Sequence, residues 1–375
     1  MQYKEYELGE LLPFEQPTAY IVKSTDYNDS YSTPVLTAGK SFILGKTNEK
    51  YGIFDQLPVI IFDDFTTATQ FVNFKFKVKS SAMKILHINT ALVMPKYIFY
   101  RLQIIQFDHS THKRYWIQSY SKIKVSIPSL DEQSRIVSRI DELFSELDKA
   151  VDTLNTTKEQ LVVYRQAVLK EIFDSVSTTS VHIKDVCLDI KVGIVIKPTQ
   201  YYVSENGVPA FRNANVRRGY INDTDWVMIS KEGHQQNCRS EVHTNDVLIS
   251  RSGANLGMAS VVPARYNRYN AIDVVIAVPD ISKVIPEFLA QYTNSPMGRA
   301  IVKKNERGAA QGHLNVSAYA NLPIGVPDLQ EQEKLVKQIS DRLSVCDSIE
   351  KTVDTALAQA DAMRQSILKQ MFNIL

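Results

Sequence analysis

The stretch "YRQAVLKEIF" fills residues 164–173, and "MRQSILKQMF" fills residues 363–372, 199 positions further on. The same displacement relates "IPSLDEQ" (127–133) to "VPDLQEQ" (326–332). Segments 127–173 and 326–372 align without a gap and agree at about sixteen positions. Among the matches are Pro128/Pro327, Gln133/Gln332, Ile140/Ile339, Asp148/Asp347, Arg165/Arg364 and Phe173/Phe372. This is an internal repeat whose period is far too long for a solenoid unit.

Each copy reads as one long helix. In the first, Ile136, Ile140, Leu143, Leu147, Ala150, Leu154, Thr157, Leu161, Tyr164 and Val168 alternate at spacings of four and three, the heptad a/d pattern. No proline interrupts it, and Pro128 stands just before its start. The second stripe is Leu335, Ile339, Arg342, Cys346, Ile349, Val353, Ala356, Ala360, Met363 and Ile367, richer in small residues. A helix of about 44 residues runs roughly 66 Å. Its apolar seam needs a cover, and the other copy is the nearest candidate. Two repeats in one chain favour pseudo-twofold symmetry, so the expected arrangement is an antiparallel pair. The gap-free register supports it, because a single-residue insertion would turn the seam away from its partner.

The bulk numbers set outer limits. The chain has 375 residues, 44% hydrophobic and 22% charged, a globular composition. No run of about 18 apolar residues predicts a membrane span, and "MQYKEYELGE" has no signal-peptide pattern. Cys187, Cys238 and Cys346 are too scattered for a disulfide framework or a CxxC metal site and suit a reducing cytoplasm. Net charge is +2, distributed as +4 over 1–126, −4 over 127–174, +4 over 175–325 and −2 over 326–375. These segments are the expected domains: a globular domain, a helix, a second globular domain, a second helix.

The globular segments carry similar signals in the same order. Buried strands are expected at 57–62 ("LPVIIF"), 246–249 ("DVLI") and 272–278 ("IDVVIAV"), and Pro-led helices around 95–105 and 286–294. Tyr120 and Tyr319 keep the 199-residue displacement. The fold class expected is α/β: two mixed α/β domains in pseudo-twofold arrangement, joined by two long helices forming an antiparallel coiled coil. Identity between the globular halves is otherwise low, so the scaffold is repeated while its polar loops differ.

Catalytic patterns are missing from the sequence. It holds no G-x-x-x-x-G-K-[ST] loop, no G-x-G-x-x-G turn and no N-P-P-[FY] run. His109 and His112 form H-x-x-H without a nearby third ligand and read as a surface loop. Asp63 and Asp64 follow a strand with no evident lysine or further acid, and read as buried or loop-capping. The polar loops are instead rich in side chains suited to base edges: Arg for guanine O6/N7, Asn and Gln for adenine N6/N7. Second-half candidates are Arg212, Asn213, Asn215, Arg217, Arg218, Arg251, Ser252, Asn255, Arg307, Gln311 and His313. First-half candidates are Thr37, Lys40, Lys46, Thr66, Thr67, Gln70, Lys113, Arg114 and Tyr115. Set on basic domains, they point to a nucleic-acid surface. The alternative is a duplicated non-enzymatic scaffold whose two domains bind proteins or glycans.

The "P-x-L-x-E-Q" helix starts, the "RQ-x-[VI]-L-K-x-[IM]-F" helix ends and "RGAAQGHLNVSAYANLPI" (307–324) carry a resemblance. Over essentially its whole length the chain resembles the specificity subunit of type I restriction-modification systems. The first half's "HKRYWIQSYSKIKV" (112–125) lacks the Gly-x-x-Gln-x-x-Leu-Asn wording. The resemblance implies two target-recognition domains, each reading one half of a split, asymmetric site in double-stranded DNA. It implies spacer helices that dock two DNA methyltransferase (modification) subunits, with restriction subunits joining in the full complex. It implies no catalysis and no cofactor in this chain. S-adenosylmethionine belongs to the methyltransferase subunits, and ATP and Mg to the restriction subunit.

Overall fold

The computed structural model of the chain describes residues 3–37, 41–109, 114–304 and 313–372. The chain divides into two compact units, Met1–Leu154 with Asp354–Leu375, and Asn155–Val353. Both dividing points lie inside long helices, Leu130–Asp174 and Leu329–Met371, and they are themselves 199 residues apart. Each unit is a globular body together with half of each helix.

In the first unit, strands Phe14–Glu15, Met83–Leu86, Val59–Asp63 and Thr69–Val72 form an antiparallel sheet in that order. Ile43–Thr47, Thr33–Leu36 and Lys77–Val78 form a second sheet, and Lys4–Glu7 pairs with Lys124–Ile127. The second unit repeats the main sheet as Cys187–Val192, Val274–Pro279, Val247–Ser250 and Ala259–Val261. Its second sheet holds Tyr202–Val203, Val227–Ile229, Val208–Phe211 and Asn270–Ala271, and Ser180–His182 pairs with Pro323–Gly325. The central strands Val59–Asp63 and Val247–Ser250 are buried along their whole length, as continuous apolar runs require. The Pro-led helices are Pro95–Leu102 and Pro286–Asn294, each with proline at its first turn, where a missing N–H is harmless.

The repeated glutamines join each globular body to its long helix. Gln133 is fully buried. Its Oε1 accepts the Met94 N–H at 2.7 Å, and its Nε2 donates to the carbonyls of Leu92 (3.1 Å) and Pro128 (3.0 Å). Gln332, also fully buried, accepts the Ile285 N–H at 2.8 Å and donates to the carbonyls of Lys283 and Pro327, both at 2.8 Å. Met94 and Ile285 are the N-caps of the Pro-led helices, so each amide ties the start of one helix to the start of another. A side chain with both donor and acceptor is needed, and Gln supplies them in one plane.

Inside each unit the two long helices run antiparallel. In the second unit Arg165 pairs with Asp347 at 2.6 Å and Glu350 at 2.8 Å. In the first, Arg364 pairs with Asp148. Arg165/Arg364 and Asp148/Asp347 are repeat equivalents, so one contact recurs with the helices exchanged. The helix ends behave alike. Phe173 packs on Phe288 and Tyr292 of the Pro286 helix, while Phe372 packs on Tyr97 and lies under Arg101 of the Pro95 helix.

The heptad stripe is covered unevenly. Ile140, Leu147, Leu161 and Val168 are buried, as are Ile339, Cys346, Val353 and Ala360, at multiples of seven residues. At the alternate positions Ala150, Tyr164, Ile349 and Met363 are exposed. The other alternate positions are covered to differing degrees: Leu335 is buried, and Ile136, Leu143, Thr157, Arg342 and Ala356 are half-buried. Arg165 is little exposed but its acids are open to water, so Arg165→Ala should lower stability by only about 1 kcal/mol. A double-mutant cycle with Asp347→Ala should give a coupling of about 0.5 kcal/mol, and a value above about 2 would show a buried, unscreened pair instead.

Candidate nucleic-acid interface

In the second unit three polar segments meet at one end of the main sheet. Asn213 is their centre. Its Oδ1 accepts Ser250 Oγ (2.9 Å) and the Arg251 N–H (2.8 Å), and its Nδ2 donates to Ser252 Oγ at 2.8 Å. The Asn213 carbonyl accepts Asn255 Nδ2 at 3.0 Å. Arg251 donates from Nη1 to Asp273 at 3.0 Å and from Nε to the Leu314 carbonyl at 3.2 Å, while the Leu314 N–H returns a bond to the Arg251 carbonyl at 2.8 Å. The turn beyond needs glycine. Gly253 and Gly257 have φ of +70° and +75°, and a Cβ on Gly257 would lie 2.9 Å from Val302.

In the first unit the corresponding place is the hairpin after Val59–Asp63. Asp63 Oδ1 accepts the N–H groups of Phe65 (2.8 Å) and Thr66 (3.2 Å), and Thr67 sits at φ +57°. His109 Nε2 lies 3.0 Å from the Thr66 carbonyl and 2.9 Å from Thr67 Oγ1. The Tyr115 N–H donates to the Asp64 carbonyl at 3.0 Å, as Leu314 does to Arg251. Tyr115 and Leu314 are 199 residues apart, so the repeat extends into this contact. Beneath the hairpin, Asp64 pairs with fully buried Lys84 at 3.3 Å and accepts the Trp116 N–H at 2.8 Å. The lysine that spacing did not reveal is thus present, but sealed from solvent. Among the described residues no group of three or more His, Cys, Asp or Glu could hold a metal ion, and no helix is long and apolar enough to cross a membrane.

The pattern of the type I restriction modification DNA specificity domain matches residues 2–161 and 169–359. The chain belongs to that family. It is 46% identical over 174 residues to the type I restriction enzyme EcoR124I/EcoR124II specificity subunit of Escherichia coli, covering 43% of each chain. It is 27% identical over 270 residues to the EcoBI specificity subunit of Escherichia coli, covering 66% of this chain and 57% of that one. The chain thus spans about half the length of the known relatives it matches. A solved chain from work on the complex assembly and conformational transition of the type I R-M system shares the fold. That likeness has a TM-score of 0.69 and 18% identity, and covers 100% of this chain and 98% of the other.

The structure of this specificity-family chain sorts the residues picked from its sequence. Asn215 is fully buried; its Oδ1 accepts the Arg212 N–H and its Nδ2 donates to the Asn222 and Thr224 carbonyls, so it shapes its own loop. Tyr115 is buried in the core beside Phe107, with its hydroxyl on the His109 carbonyl. Both roles differ from the base contact expected, because a side chain with every polar atom engaged inside the fold has none left for a base. Arg212 is tied to Asp225 at 3.1 Å and Arg217 donates to the Val216 carbonyl at 3.2 Å. Lys46 donates to the Asp29 carbonyl at 3.4 Å. Thr37 follows strand Thr33–Leu36. Thr66, Gln70, Arg114, Arg218 and His313 are exposed, and Ser252 and Asn255 are half-buried at the loop surface. Lys40, Lys113, Arg307 and Gln311 lie outside the described residues.

Three residues escaped the sequence reading. Phe65 is 47% exposed at the tip of the first unit's hairpin; a large apolar residue directly after two aspartates was the available signal. Arg299 has a buried Nη1 without a hydrogen-bond partner among the described residues. Burial lowers its pKa, and the charge of Arg218 lowers it further. Asp273, the acid that holds Arg251, carries no local signal, because it faces its partner only across paired strands.

Proposed function

We propose that this chain is the sequence-specific DNA-recognition subunit of a type I restriction-modification complex, each unit reading one half of a bipartite, asymmetric target. The observation that carries this reading is a buried frame repeated almost contact for contact beneath loop ends that differ. Gln133 and Gln332 make the same three bonds, and Tyr115 and Leu314 close the same turn. Above that frame the first unit presents Phe65, Thr66 and Arg114, whereas the second presents Ser252, Asn255 and His313. Two unlike surfaces on one scaffold suit two unlike half-sites.

The long helices act as spacer and as docking surface for two modification subunits. The uncovered heptad positions support this reading: Ala150 and Met363 in the first unit, Tyr164 and Ile349 in the second, give each unit an apolar strip on which a further helix can pack. The chain itself is non-catalytic and cytoplasmic. S-adenosylmethionine is held by the modification subunits, and ATP with Mg by restriction subunits in the full complex. With a net charge of +2, the chain alone binds DNA weakly, and most phosphate contact comes from its partners.

Exchanging residues 181–325 for the corresponding domain of another family member should change one half-site of the methylated motif and leave the other intact. Sequencing methylated bases in a host carrying the exchange reads this directly. A change in both half-sites would mean the units do not read independently.

A further inference from the structure

The polar knot of the second unit is held by one carboxylate. Asp273 sits immediately before strand Val274–Pro279 with φ +52°, a left-handed conformation uncommon for a residue other than glycine. Its own N–H donates to the Ile194 carbonyl at 3.1 Å, which fixes the backbone there. From this point one oxygen takes Arg251 Nη1 at 3.0 Å, and the other lies 3.5 Å from Asn213 Nδ2. Arg251 in turn holds Leu314, and Asn213 holds Ser250, Ser252 and Asn255. The loop so held exposes Gly253 and Ala254 at its tip, and Leu256 packs on the core just beyond it. The first unit meets the same need with reversed charges, the acid Asp64 on the central strand's end and the base Lys84 on its neighbour.

We propose that Asp273 is a positioning residue for base selection in the second half-site, setting Arg251 and Asn213 so that the 251–255 loop meets DNA in one conformation. The proposal rests on the DNA-reading function given above. A site built from hydrogen-bonding groups rejects a wrong base only when those groups cannot move to suit it. Loosening the carboxylate should therefore relax selectivity while leaving the apolar core intact.

The test uses the full chain, expressed with its modification subunits, and sequencing of the methylated motif. Asp273→Ala should reduce discrimination about tenfold at one or more positions of the second half-site, with the first half-site and the spacing unchanged. Asp273→Asn, which keeps an acceptor for Arg251, should stay within about twofold of the native chain. If Asp273→Ala does not fold, Arg251→Lys carries the same test, since lysine cannot reach Asp273 and Leu314 from one rigid fork. Native selectivity in both half-sites of a folded variant would overturn the proposal, as would equal relaxation of both. Absence of any bipartite motif with the native chain would instead overturn the DNA-reading function itself.

Discussion

Replacing Lys84 with methionine should lower the stability of the first unit by about 3–5 kcal/mol, because Asp64 would remain buried with no cation beside it. The side chains are 0% and 2% exposed, so water cannot take over the missing charge. Lys84 Nζ stands 3.3 Å from the carboxylate without a well-aligned hydrogen bond, and 5.4 Å from the Phe14 ring. The attraction is mainly between charges, so the pair stabilises only as a pair. The double variant Lys84→Met with Asp64→Asn should recover about 2 kcal/mol of the loss. Asparagine removes the buried charge and keeps an acceptor for the Trp116 N–H. Urea unfolding of the three variants checks this. A loss below about 1 kcal/mol for Lys84→Met would show that the site admits water.

The second large effect lies at the glutamine clamps. Gln133→Leu should destabilise the first unit by about 3–5 kcal/mol, and Gln332→Leu the second unit by a similar amount. Leucine has almost the same length but leaves one N–H and two carbonyls buried without partners, each costing about 1–3 kcal/mol. Thermal unfolding should fall by roughly 10 °C for the affected unit. Gln→Glu should fare no better, since a carboxylate cannot donate to the two carbonyls and would face both lone pairs at close range. If either leucine variant unfolds within about 2 °C of the native chain, the clamp is replaceable by water and the repeat there has another cause.

Much of the architecture was legible because it is local or repeated. A 199-residue displacement kept without a gap, heptad spacing, prolines at the first turns of Pro95–Leu102 and Pro286–Asn294, and the apolar runs at Val59 and Val247 are properties of short stretches. The site was less legible. Asn215 and Tyr115 have the chemistry of base readers, yet one shapes its own loop and the other fills a core. Tyr115 could have been placed from its repeat equivalent Leu314, an apolar residue at the same step of the register. Asn215 gave no such sign.

By itself the sequence determined that one module occurs twice, that each copy ends in a long helix, and that the two copies differ where loops are polar. These follow from periodicity, which needs no knowledge of what lies across the fold. Only the tertiary structure decided which heptad positions are exposed, and that Arg165–Asp347 and Arg364–Asp148 are one contact made twice. It alone showed which polar atoms already have partners. A hydrogen bond such as Asp273 to Arg251 joins residues 22 positions apart through the register of two strands, and nothing in either neighbourhood records that meeting.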